Sequence, residues 1–162
     1  MPASVYHIYN TNDRNTINSV YGRGFRLNLE QTINIEFIST LSGTTEYAKY
    51  IDEDGTARYL KQESFGLYKD EDGLGLRLEL GDYGNLFMMY DKAGNRSVFL
   101  RKVLSGNREY WYLAEIINAN GDKITITIDP NNNDNFVITN VKDGTNQQIK
   151  LGYSNRKALR NN

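Results

Sequence analysis

From Phe25 onward, apolar residues fall on odd positions: Phe25, Leu27, Leu29, Ile33, Ile35 and Phe37. Arg26, Asn28, Glu30, Thr32, Asn34 and Glu36 sit between them, and Gln31 is the one break. A period of two places one face of a strand in a core and the other in water. Leu74, Leu76, Leu78 and Leu80 repeat the pattern around Gly75, Arg77 and Glu79. Ile124, Ile126 and Ile128 alternate with Thr125 and Thr127, and Ile149, Leu151 and Tyr153 form a shorter run. No stretch carries a convincing 3.6-residue period. The best helix candidate, 154–160, is too short to be stable alone.

Turn signals separate these runs: Asp54-Gly55, Asp72-Gly73, Ala93-Gly94, Asn120-Gly121 and Asp143-Gly144. Asp-Gly and Asn-Gly accept the positive φ that primed hairpin turns need. Tyr50-Ile51-Asp52-Glu53-Asp54-Gly55, Tyr68-Lys69-Asp70-Glu71-Asp72-Gly73 and Tyr90-Asp91-Lys92-Ala93-Gly94 align as copies of one unit, and 117–123 and 139–144 are weaker copies. The glycines lie 18, 21, 27 and 23 residues apart, which allows two strands and two turns per unit. One hairpin cannot bury its face alone, so neighbours must stack. The expected fold is all-β, an antiparallel meander of about ten strands in a twisted, curved open sheet. An open sheet leaves edges, which invite self-association or a further strand.

Composition supports the strands. The chain has 162 residues, 12 Tyr, 14 Gly, 2 Pro and no Cys, with 39% hydrophobic and 24% charged residues. A domain of this length buries roughly 70% of its unfolded surface without disulfides or metals. The lack of Cys excludes thiolate chemistry and disulfides. The formal net charge of −1 gives no field for nucleic acid or acidic lipid. Arg156, Lys157 and Arg160 make a basic tail. No run reaches the roughly 20 apolar residues of a membrane helix, and residues 1–10 lack the pattern of a signal peptide.

Candidate chemistry is sparse. His7 is the only histidine, and no G-x-S-x-G accompanies it. Asp52, Glu53 and Asp54, like Asp70, Glu71 and Asp72, sit on adjacent turn positions rather than across a cleft as glycosidase acids do. Counting back from Gly55 and Gly73 puts Tyr50 and Tyr68 where an EF-hand needs its first ligand, so that motif is excluded. A looser calcium site at these turns, or at Asp129, Asn131, Asn133 and Asp134, is left open; no other cofactor is expected. Gly22-Arg23-Gly24 precedes a strand rather than a helix, and so reads as a bend, not a phosphate loop. Tyr110 and Tyr112 share one face of a strand and Trp111 the other. Exposed, these three aromatics could stack on sugar rings; buried, they are core.

Tyr90-Asp91-Lys92-Ala93-Gly94-Asn95-Arg96 resembles the core of the YD repeat of rearrangement-hotspot (RHS) proteins, in which Tyr-Asp, two variable residues and Gly-Asn lead into a strand. Residues 117–126 are similar to its companion form, with Asn118-Ala119-Asn120-Gly121-Asp122 leading into alternating Ile and Thr. Tyr9-Asn10-Thr11, followed by Tyr21-Gly22-Arg23-Gly24-Phe25, resembles the lead-in to an RHS region, with Thr11 for Ser and Phe25 for Trp. The resemblance covers 6–153 and divides the chain into a lead-in β segment at 1–48, degenerate YD-like hairpin repeats at 49–153 and a basic flexible tail at 154–162. It implies a non-enzymatic scaffold segment of a larger bacterial protein, extracellular or wall-associated, whose β strip forms part of a shell around a toxin or effector. Its partners would be further repeats of the same protein and cell-wall glycan; a carbohydrate- or wall-binding β module is the alternative. The turn-defining positions would be Gly55, Gly73, Tyr90, Asp91, Gly94, Asn95, Gly121 and Gly144, and the ligand-stacking aromatics Tyr110, Trp111 and Tyr112.

Overall fold

The structure is a computed structural model and describes residues 3–9 and 25–152. The 154–160 helix candidate, the 154–162 tail, Gly22-Arg23-Gly24 and most of the lead-in motif lie outside the described residues. β1 (His7–Tyr9) pairs antiparallel with β2 (Phe25–Leu27). The other strands form one antiparallel sheet of 11. They are β3 (Thr32–Thr40), β4 (Gly43–Ile51), β5 (Ala57–Ser64), β6 (Leu67–Asp70), β7 (Arg77–Gly81), β8 (Leu86–Tyr90), β9 (Arg96–Leu104), β10 (Arg108–Ile117), β11 (Lys123–Ile128), β12 (Ile138–Lys142) and β13 (Gln148–Lys150).

The all-β antiparallel expectation holds, but the sheet is not open. β3 to β10 run as successive hairpins, and β10 then returns to β3, with Trp111 opposite Ile33 and Tyr112 opposite Thr32. These 8 strands close into a barrel. Alternation shows that each strand has one buried face, but not what covers it. Here the sheet covers its own inner face, which removes the edges an open meander would leave along those strands.

Gln31, the break in the alternation, sits at this seam. Its carbonyl accepts the Leu113 amide at 3.0 Å. Its side chain accepts the Tyr50 hydroxyl at 2.6 Å and donates to the Asn28 carbonyl at 3.1 Å. Asn28, also buried, bonds the N-terminal segment through the Tyr6 amide (3.0 Å) and the Ser4 carbonyl (2.9 Å).

Side chains fill the barrel. Ile33, Leu60, Leu78, Phe87, Phe99 and Leu113 are each under 2% exposed or at that limit. Phe87 meets Trp111 at 4.9 Å and Tyr68 at 5.7 Å between ring centroids, both edge-on. Such offset geometries are the preferred ones for aromatic pairs. Lys49, Lys61, Lys69, Arg77 and Glu79 lie on the alternate, outward positions. A barrel whose wall faces hydrocarbon has the opposite polarity.

Below its contact with β3, β10 pairs with β11 through Glu115, Ile116 and Ile117. β11, β12 and β13 thus extend the sheet past the barrel. Their buried Ile124, Ile126, Ile138 and Val141 join the same core as Leu27 and Leu29. The meander places the 41–42, 65–66, 82–85 and 105–107 turns at one end of the barrel. The 52–56, 71–76, 91–95 and 118–122 turns lie at the other.

Candidate functional site

One turn design recurs along the second of these ends and into the extension. The Asp52 side chain accepts the amides of Asp54 and Thr56, both at 2.9 Å, and pairs with Arg58 at 2.8 Å. Asp91 accepts Ala93 and Asn95 at 2.9 Å. Asn118 accepts Asn120 and Asp122 at 3.0 Å, and Asp143 accepts Thr145 at 2.9 Å and Gln147 at 3.1 Å. Asp70 holds a wider loop through the amides of Asp72, Leu74 and Gly75. Side chains of Asp and Asn compete for backbone amides in this way, which is why they favour turns.

Three residues after each Asp or Asn stands the residue with positive φ: Gly55 (81°), Gly73 (80°), Gly94 (86°), Gly121 (88°) and Asn146 (66°). Asp54, Asp72 and Asn120 before those glycines do not have positive φ. The turns are therefore not the primed pairs that Asp-Gly suggests. A type I turn closed by a left-handed residue gives this pattern. At the last hairpin that residue is Asn146, and Gly144 has no positive φ.

The inward residue two places before each Asp or Asn is Tyr50, Tyr68, Met89, Ile116 or Val141. The structural repeat is thus apolar-x-Asp/Asn-x-x-Gly/Asn. Tyr90 stands one place out of line with Tyr50 and Tyr68, and its ring lies under the Arg77 guanidinium at 4.6 Å. Aligning the sequence on Tyr and Gly missed the constant three-residue step from Asp or Asn to the left-handed position. The Thr145 hydroxyl, 2.7 Å from Asp143, holds that carboxyl below its ordinary range, aided by the amides of Thr145 and Gln147.

The aromatic triplet divides as its alternation requires. Trp111 is buried in the barrel and its indole Nε1 donates to the Gly84 carbonyl at 2.9 Å. Tyr110 and Tyr112 lie half-buried on the outer wall, each 5.7 Å from Phe136 between ring centroids. Phe136 belongs to the 129–137 connection, which folds over the β9–β10 hairpin. Lys102 Nζ ties it down through the carbonyls of Asn132 (2.8 Å) and Asp129 (3.3 Å), and the Ser105 amide through that of Asn133 (2.7 Å).

Beside this connection lies a cleft of about 480 Å³ lined by Arg101, Lys102, Tyr112, Ile126, Ile128 and Pro130, with Thr127. Burial pushes the Tyr112 hydroxyl above the ordinary tyrosine range, so it stays a neutral donor. Arg101 is committed to Glu109 at 2.7 Å.

In the 129–135 loop, Asp129 accepts the Asn131 amide at 2.9 Å, and Asn132 accepts those of Asp134 and Asn135 at 3.0 Å. Among the described residues, no three Asp, Glu or His side chains converge as metal ligands. Among the same residues, no helix is long and apolar enough to cross a membrane. His7 lies on β1.

Fold and turns together define an up-and-down β-barrel with a packed interior and a three-strand extension. No known protein-family model matches the chain, and no curated protein matches it.

Proposed function

We propose that the chain is a non-enzymatic structural β module of a larger extracellular or wall-associated bacterial protein of the RHS/YD-repeat kind. Its partners are then further repeats of that protein, and its role is part of the shell or scaffold around a toxin or effector. The observation that carries this reading is the recurrence of an Asp/Asn-anchored turn at every second hairpin, five times along the sheet. Two more agree with it. The barrel interior is spent on packing, and the sheet runs on beyond the barrel to β13, an exposed strand that offers an edge for another. Hydrogen exchange tests it. In the intact parent protein, the outward amides of β13 should exchange at least about tenfold more slowly than in the isolated chain. Equally fast exchange in both contradicts a following strand.

A second reading, carbohydrate or wall binding, is favoured by the cleft at Tyr112. Binding on a glycan array or to peptidoglycan that is lost in Tyr112→Ala supports it. Clean negatives with folded protein count against it.

A further inference from the structure

Closure covers the edge of β3 only in part. β10 pairs with β3 at Thr32 and Ile33, whereas β3 runs on to Thr40. β4 accompanies it throughout, from Thr32 opposite Ile51 to Thr40 opposite Gly43, in unbroken register. On the other side of β4, the ladder with β5 ends at Tyr47 opposite Lys61. The outer parts of β3 and β4 therefore form a two-stranded arm, and every residue from Phe37 to Thr44 is exposed. A lone two-stranded hairpin is marginal in water, and a third strand stabilises it.

The open edge of this arm is backbone. Leu113 donates to the Gln31 carbonyl, so the odd-numbered residues of β3 turn their N–H and C=O toward the β10 side. Ile33 uses its pair on Trp111. Ile35, Phe37 and Ser39 follow, and among the described residues no strand pairs with them there. Folded proteins guard such edges with Lys, Pro, a bulge or a very short strand. Asn34-Ile35-Glu36-Phe37-Ile38-Ser39-Thr40 has none of these. Its one charge, Glu36, is paired with Lys49 at 3.4 Å. β13, by contrast, is 3 residues long and ends in Lys150.

We propose that this edge pairs with the same edge of a second copy of the chain, antiparallel about a two-fold axis at Phe37. An extended row of unpaired amides and carbonyls takes another extended strand, and the side chains select which one. Turned on itself at Phe37, the segment sets Phe37 against Phe37, Ile35 against Ser39, Glu36 against Ile38 and Asn34 against Thr40 of the copy. The N–H groups of Ile35, Phe37 and Ser39 then each meet a carbonyl. Paired aromatic rings stabilise a ladder, and no like charges stand directly opposite. One patch serves both partners, as a two-fold interface requires. The edge is separate from that of β13, so the pairing does not depend on a following repeat.

The test is sedimentation velocity of the purified chain over a concentration series reaching about 1 mM. It should show a reversible monomer–dimer equilibrium. Phe37→Pro removes an outward N–H that the β4 ladder does not use, so the arm survives. It should weaken dimerisation at least about tenfold. Phe37→Lys sets like charges across the axis and should weaken it similarly. Both variants should melt at the wild-type temperature, because the side chain at position 37 is exposed. Amide exchange of the wild type needs no variant. Ile35, Phe37 and Ser39 should slow as concentration rises, and Glu36 and Ile38, bonded to β4, should not. A monomer at every concentration overturns the proposal. So does a dimer that both variants leave intact, or a series of larger species, which a closed two-fold pair does not form.

Discussion

Gln31 interrupts the alternation between Leu29 and Ile33, and its hydrogen bonds explain why a polar residue suits a buried position. It joins Tyr50 on β4, Leu113 on β10 and Asn28 before β3, so one side chain and its carbonyl tie the seam from three sides. Gln31→Leu keeps the volume but removes the side-chain oxygen that accepts the Tyr50 hydroxyl. It should cost about 1–3 kcal/mol in urea denaturation, and a loss near zero would mean that the seam does not depend on it. The turns offer a second residue-scale test. Gly121 (φ 88°) is at a left-handed position, and Gly144 is not. Gly121→Ala should therefore cost about 1–2 kcal/mol, and Gly144→Ala less than about 0.5 kcal/mol. A Cβ at Gly144 meets nothing closer than 3.7 Å, so space does not confuse the comparison. Equal costs would refute the assignment of Asn146 as the turn residue.

At the scale of elements, much was legible. All five turn glycines lie between consecutive hairpin strands, and the odd-position run turns its apolar side to the core from Leu27 to Ile35, whereas Phe37 at its end is 67% exposed. Two things were not. The leucine run from Leu74 to Leu80 reads as one strand, yet β7 begins at Arg77. Asp70 takes the amides of Leu74 and Gly75 and so holds them out of the ladder. A side chain several residues away decides this, and periodicity does not register it. The triplet Tyr110-Trp111-Tyr112 shows which side chains share a face, but not which face is inside. That is fixed by closure, a contact between strands some 80 positions apart in sequence (111 − 33 = 78). Among the candidate ligand-stacking aromatics, only Tyr112 lines the cleft. The turn design itself is testable. Asp91→Ala removes the acceptor for two turn amides and the Asn95 side chain, and should cost about 1–3 kcal/mol by thermal or urea unfolding. Wild-type stability would show that the turn closes without its carboxylate.

At the scale of the whole molecule, burial in the barrel makes Tyr68 the group that ties stability to alkaline pH. Burial first, then its hydrogen bond to the Glu46 carboxylate, raise its hydroxyl well above the ordinary range. A raised folded-state pKa gives stability that is complete below the unfolded value, about 10. That stability is lost as pH climbs above it. Asp143 acts at the other limb: its lowered carboxyl adds stability above the unfolded value, about 3.9, that is lost as pH falls through the folded one. Stability should therefore plateau at intermediate pH. Tyr68→Phe should flatten the fall above about pH 10, and an unchanged alkaline limb would contradict a buried, neutral Tyr68. The barrel depends most on the short ladder between β3 and β10, and nuclear Overhauser spectroscopy reads it directly. Because Leu113 donates to Gln31, the next pair, Tyr112 and Thr32, is a non-hydrogen-bonded one with its α-carbons close together. A strong cross-peak between the α-protons of Thr32 and Tyr112 is the result a closed barrel requires. Its absence, with the β9–β10 cross-peaks intact, would mean that the sheet is open.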